Sequence, residues 1–217
     1  MNSAVTRDRI EGAYKSLGYS NGWRFMACPE KNFLDPQVLL ITLNPGGDDG
    51  RDWGDPEWSQ EHGSAYVCES WGDKPAGRAS LQIQIQRMFN LLNLPIDEAA
   101  AGYFIPFRSQ RESTLKNATA ALQFAKEFWN DVIRGMAPEY VICLGATVGN
   151  HMKNLFGVRS LEKRPTGWGN VTLSIGDTKD GGRFVILPHL STFKLFSRDA
   201  CIAHFRAAVA FKGKRHA

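Results

Sequence analysis

The stretch Val38-Leu39-Leu40-Ile41-Thr42-Leu43-Asn44-Pro45-Gly46 decides the fold. Its first six residues form an almost unbroken apolar run, partly β-branched, which suits a strand covered on both faces. Asn-Pro-Gly then makes a tight exit turn, with Pro fixing φ and Gly admitting positive φ. The turn presents the Asn44 amide and the backbone amides near Gly46 and Gly47 above the strand end. On its own it is an ordinary strand exit. It is not a phosphate-binding loop of the Walker type, because no Lys follows in the required place and the G-x-G-x-x-G spacing is absent.

Further apolar runs repeat the theme. Residues 101–106 (AGYFIP), Tyr140–Leu144 (YVICL) and residues 184–187 (FVIL) read as strands, and the segment 171–175 has the makings of one more. Helical periodicity lies between them. Leu81, Ile85, Met88, Phe89 and Leu92 share one face of a helix closed by Leu94-Pro95. Leu115, Ala118, Leu122, Ala125, Trp129 and Val132 mark a long helix capped by Ser113 and ended at Gly135. Helices are also expected over residues 4–18, 146–155 and 197–211, the last with Ile202, Phe205 and Val209 inward.

Strands alternating with helices imply parallel pairing and right-handed crossovers. The expectation is one α/β domain over residues 1–217: a three-layer α/β/α sandwich around a mainly parallel, four-stranded sheet. Ligands of such sheets bind beyond the carboxyl ends of the strands. That rule selects residues 44–49, 106–111, 145–147 and 188–194. The Gly-, Pro- and Trp-rich stretch 44–79 is long for a structureless connection, which points to a functional loop region.

Composition narrows the classes. Of the 217 residues 43% are hydrophobic and 22% charged, the balance of an ordinary globular chain. No apolar run is long enough to span a bilayer, and residues 1–20 lack the apolar core of a signal peptide, so the expected compartment is cytoplasmic. Cys28, Cys68, Cys143 and Cys201 are scattered, with no C-x-x-C pair and no Cys/His cluster, so neither a metal nor an iron–sulfur centre is expected. The net charge of +4 is compatible with a polyanionic partner and demands none.

At the far end of the chain, Phe184-Val185-Ile186-Leu187-Pro188-His189-Leu190-Ser191-Thr192 sets a His beyond an apolar strand. Asn44 and His189 are 145 residues apart, yet the strand reading puts both at one edge of the sheet. The first motif resembles that of the uracil-DNA glycosylase superfamily, closest to the branch reading Asn-Pro-Gly, the mismatch-specific and single-strand-selective enzymes. The last resembles the family's final strand and its His-Pro-Ser-like motif. Between them, Gly72-Asp73-Lys74-Pro75-Ala76-Gly77-Arg78-Ala79-Ser80 resembles the Gly-x-Pro-Phe-x-Gly-x-Ala segment of the thermostable bacterial and archaeal branch. Tyr140-Val141-Ile142-Cys143-Leu144-Gly145 resembles the third strand and its terminal Gly. The four motifs occur in the family's order over residues 38–200.

The resemblance implies a monomeric, cofactor-free enzyme of base excision repair acting on DNA. Such an enzyme flips out a damaged or deaminated base and hydrolyses its N-glycosidic bond. Asn44 would orient water and His189 would donate to the departing base. Pro45, Gly46 and Ser191 would help hold base and phosphate, and Arg108 and Arg111 would meet phosphates. Phe193, Lys194 and Leu195 fall where relatives insert an apolar wedge. Two departures bear on specificity. Tyr103 stands where the family carries an Asn that reads uracil, and a phenol lacks the paired donor and acceptor of a carboxamide. The stacking Phe is missing after Pro75, leaving Tyr66 or Trp71 as aromatics of the same loop. Asp48 and Asp49 are close enough to Asn44 in sequence to face the same cleft, or to form a solvated turn. The altered motifs keep a rival open: a module on the same fold that binds DNA or a modified base without cleaving it. An unrelated α/β hydrolase is disfavoured, for there is no G-x-S-x-G elbow.

Overall fold

In the computed structural model, residues 5–47 and 56–210 are described. The chain is α/β, with one six-stranded, mostly parallel sheet. The strands are β1 (Val38–Thr42), β2 (Ala100–Tyr103), β3 (Tyr140–Leu144), β4 (Glu162–Pro165), β5 (Thr172–Asp177) and β6 (Arg183–Leu187), in the spatial order β2-β1-β3-β6-β5-β4. β2, β1, β3 and β6 pair in parallel, and β1 and β6 are buried along their whole length. Their continuous apolar runs have that cause, since both faces of a parallel strand are covered.

The expected four strands are therefore six. β5 and β4 extend the sheet antiparallel beyond β6. β5 alternates buried Leu173 and Ile175 with more exposed neighbours, the pattern of a one-sided strand. β4 reads Glu-Lys-Arg-Pro and is largely exposed, so it carries no hydrophobic signal; backbone pairing to β5 alone makes it a strand.

The helices are α1 (Arg7–Ser16), α2 (Ala65–Cys68), α3 (Ser80–Leu92), α4 (Ala118–Val132), α5 (Ala146–Leu155) and α6 (Asp199–Val209). α4 starts later than expected from Ser113. Residues Glu112–Thr114 form a separate 3-10 turn, and Asn117, in the left-handed region at φ 45°, breaks the chain between the two. α5 lies on β3 and β6 and touches α4, whereas α3 contacts α6. No helix among the described residues is long and apolar enough to cross a membrane.

The chain enters the sheet at β1, steps to β2 at one side, then crosses back to β3 on the other. That reversal creates a crevice beyond the carboxyl ends of β1 and β3, the place where sheets of this kind bind ligands. The outer edge of β2 is covered by the segment 23–28, which runs antiparallel to it. Ala27 N donates to Ala101 O at 2.8 Å, Tyr103 N to Phe25 O at 2.9 Å, and Arg24 N to Pro106 O at 2.8 Å. This pairing covers an otherwise open strand edge and carries Arg24 up to the carboxyl end of the sheet.

α5 sits close on the sheet because Gly149 faces β6: a Cβ built there would lie 2.5 Å from the Ile186 side chain. Gly149→Ala should therefore destabilise the protein by about 1–3 kcal/mol through overpacking, read as a lowered midpoint in urea unfolding. An unchanged midpoint would show that α5 is free to shift on the sheet.

Candidate active site at the carboxyl edge of the sheet

Register places Asn44 and His189 at one level. Ile41 is paired with Cys143, and Cys143 with Ile186, so the residues following β1, β3 and β6 emerge side by side. Two strand spacings separate the backbones of β1 and β6, roughly 10 Å. The gap between them lies over the end of β3, where Gly145 opens α5.

The Asn44 amide is held in one orientation. Its Nδ2 donates to Pro45 O at 2.9 Å and to Ser109 O at 2.8 Å. Both neighbours are carbonyls, so the nitrogen must face them, and both its protons are used. Oδ1 accepts from no group among the described residues, leaving an acceptor for a water or a ligand donor. The turn itself is braced by Ser109 N, which donates to Pro45 O at 3.2 Å, and by Arg108 Nη1, which donates to Gly46 O at 3.1 Å.

His189 is fixed through the other ring nitrogen. Its Nδ1 lies 2.7 Å from Ser191 Oγ and accepts from Ser191 N at 3.4 Å. A ring nitrogen that accepts from a backbone amide carries no proton, so in the neutral ring the proton sits on Nε2. Burial lowers the His189 pKa below its ordinary value and favours that neutral form. Thr192 N and Phe193 N both donate to His189 O at 3.0 Å, which closes the turn beneath the ring. The site thus offers one amide oxygen that accepts and one imidazole N–H that donates.

Beside the Asn44 turn lies a charged cluster that sequence patterning did not reveal. Arg24, 7% exposed, makes a two-pronged ion pair with Glu69 at 2.8 and 2.9 Å and a second with Glu57. Glu69 also accepts from Gln60 at 2.6 Å and from Trp71 Nε1 at 2.9 Å. Burial opposes ionisation of Glu69, but the Arg24 guanidinium outweighs it and holds the carboxyl below the usual range. Arg108 approaches Glu57 at 3.8 Å. These residues come from four separate segments and, being charged, read in sequence as surface.

The remaining expected site residues fall into two groups. Tyr103 is buried at 7% exposure among Arg24, Glu69 and Arg108, with its phenol pKa raised, chiefly by burial. Tyr66 is 1% exposed and T-shaped to Trp71 at 5.6 Å between ring centres, so Tyr66 has no face to give a ligand, while Trp71 is half-buried. Leu195 is packed in the core, whereas Phe193 is half-buried and meets Trp168 edge-on at 6.2 Å. Trp168 comes from the turn joining β4 to β5, and Arg198 stacks over it at 3.4 Å. Pro45 is buried; Gly46, Arg111, Ser191 and Lys194 are exposed; and the Arg108 side chain, 10% exposed, is turned inward to Gly46 O. Asp48 and Asp49 lie outside the described residues.

α3 joins the loops around the site. Gln82 Nε2 donates to Ala65 O and Glu69 O, and Gln86 Nε2 to Tyr66 O and Gly77 O. On another face Gln84 accepts from Phe196 N at 2.8 Å and donates to Ser197 Oγ at 2.8 Å, just past the His189 loop. The apolar spacing of α3 identified its core face and left these three glutamines unread. No group of three or more His, Cys, Asp or Glu residues that could hold a metal ion occurs among the described residues. No protein-family model matches the chain, and no curated protein is significantly similar to it.

Removing Arg24 would strand two carboxylates. Arg24→Met should cost about 3–5 kcal/mol, the scale for breaking a buried ion pair from one side. Thermal unfolding measures it; a loss below about 1 kcal/mol would mean the cluster is solvated and weak.

Proposed function

We propose that this chain is a DNA glycosylase with a three-layer architecture like that of the uracil-DNA glycosylase superfamily. It would hydrolyse the N-glycosidic bond of a flipped-out damaged or deaminated base, uracil or another. The observation that carries the reading is the pairing of Asn44 and His189 at the switch point, one offering an acceptor and the other a donor.

The chemistry follows from those two atoms. Asn44 Oδ1 accepts a hydrogen bond from a water molecule and aims its oxygen at C1′ of the sugar. As the C1′–N bond lengthens, its electron pair leaves with the base and positive charge gathers on the sugar. The water oxygen bonds to C1′ and its proton passes to solvent. An amide is too weak a base to take that proton, so Asn44 positions the water. His189 donates its Nε2–H to the carbonyl oxygen of the departing base, where negative charge develops. A neutral donor is enough, and the depressed pKa keeps it neutral. Half-buried Trp71 is the aromatic of that loop left to stack on the base. Tyr103, buried under Arg24, has no free edge to present to uracil, which supports a different base as the preferred substrate.

That burial also favours a second reading, a module that binds DNA or a modified base without cleaving it. The two are separated by offering the protein single-stranded and duplex oligonucleotides carrying uracil, hypoxanthine, xanthine or alkylated bases. Abasic product from at least one is expected, and Asn44→Ala and His189→Ala should each slow its release about a hundredfold. Binding with no abasic product from any of them would leave only the second reading.

The acid limb supplies an independent check. Because the folded-state pKa of His189 lies below 6.5, the rate should persist as pH falls past that value and fail only lower. Ser191→Ala removes the hydroxyl that favours the neutral Nε2–H tautomer. Its acid limb should move upward, toward the ordinary histidine range, with a lower plateau. An unmoved limb would mean that the Ser191–His189 contact plays no part.

A further inference from the structure

A second feature opens off the Asn44 turn, on the side away from His189. It is a cleft of about 350 Å³, bounded by Tyr19 and Ser20 on one side and by Arg108, Ser109 and Lys116 on the other, with Gly47 at its head. That volume is at the lower end of ligand-sized sites. The walls are tied to each other and to the turn. Tyr19 OH donates to Lys116 O at 2.5 Å, Asn117 Nδ2 to Leu17 O at 2.8 Å, and Arg108 N to Gly22 O at 3.2 Å. Ser109, whose carbonyl holds the Asn44 amide, is itself pinned through Oγ to Thr114 Oγ1 and Arg111 O.

The lining is polar, and its charges among the described residues are those of Arg108 and Lys116, both positive. Lys116 is exposed, its ammonium lies 3.4 Å from Ser20 Oγ, and it has no carboxylate partner among the described residues. Exposed Arg111 beside the cleft also pairs with no carboxylate there. Cations line up this way where an anion is to be neutralised, and an uncharged apolar ligand would gain nothing from such walls.

We propose that this cleft holds the phosphodiester backbone of the DNA strand next to the reacting nucleotide, with Lys116 as its principal phosphate ligand. The proposal rests on the glycosylase reading for its substrate, and it assigns the strand a path: past His189 on one side of Asn44 and through the cleft on the other. Arg108, turned inward, shapes the head of the cleft by holding Gly46.

Binding of a fluorescently labelled single-stranded oligodeoxynucleotide, followed by anisotropy between roughly 50 and 200 mM salt, tests this directly. Lys116→Ala should weaken binding several-fold at the lower salt and flatten the plot of log K against log[salt] by about 0.7, one phosphate contact. Lys31→Ala, an exposed Lys before β1 at the opposite edge of the sheet, serves as control and should change neither. Lys116→Ala should unfold at the wild-type temperature, because the Tyr19 bond is to its backbone oxygen. Equal behaviour of the two variants, or tighter binding by Lys116→Ala, overturns the proposal. So does binding of a deoxynucleoside monophosphate or inorganic phosphate as tightly as the strand with the same dependence on Lys116, which would make the cleft a site for free phosphate. A Lys116-dependent slope in a protein that releases no base would sink the glycosylase reading and leave the backbone path standing.

Discussion

One guanidinium holds the loops of the carboxyl edge together. Arg24 reaches that edge on a segment paired with β2, and there it binds Glu57 and Glu69 from two different loops. The Glu57 loop also pairs through its backbone with the segment 23–28, and the Glu69 loop is held by Gly77 and Gln82. A two-pronged Arg–carboxylate pair in a setting of reduced dielectric adds a tie between the two loops that is strong enough to offset side-chain entropy. Arg108, which approaches Glu57, also holds Gly46 of the Asn44 turn. The same cluster therefore braces the Asn44 turn as well as the loop that carries Glu57.

α3 performs the matching task with neutral groups. Three glutamines at alternate positions send amides to loops on both sides of the helix, one set around residues 65–77 and the other just past His189. A buried carboxamide that makes all its bonds rigidifies what it touches, and one left half-satisfied is a liability. The Asn44 and His189 turns are thus mounted on shared supports, although no side chain among the described residues links the two directly.

Much of this was legible in the chain. The apolar runs of β1, β3 and β6 state their burial outright, and each ends in a residue whose position at the edge follows from parallel pairing. Asn44 and His189 were found that way. β4 was not, because Glu-Lys-Arg-Pro owes its strand to a neighbour's backbone rather than to its own side chains. Arg24, Glu57 and Glu69 escaped for a related reason: charged residues far apart in sequence look alike whether solvated or paired. The aromatics were ambiguous in another sense. Tyr66 and Trp71 share a loop and a chemistry, and only packing separates the core ring from the half-buried one.

The cradle of the Asn44 amide has a bearing on how such a site can change. Two backbone carbonyls face its nitrogen, and an Asp there would set a carboxylate oxygen against both of them. A one-base codon change is all that separates the two residues, yet the electrostatics of the turn permit only the amide unless the carbonyls of Pro45 and Ser109 are turned away. Acquiring a carboxylate at this position is therefore a problem of rebuilding main chain, and a lineage that begins from this turn is held to the amide by its backbone.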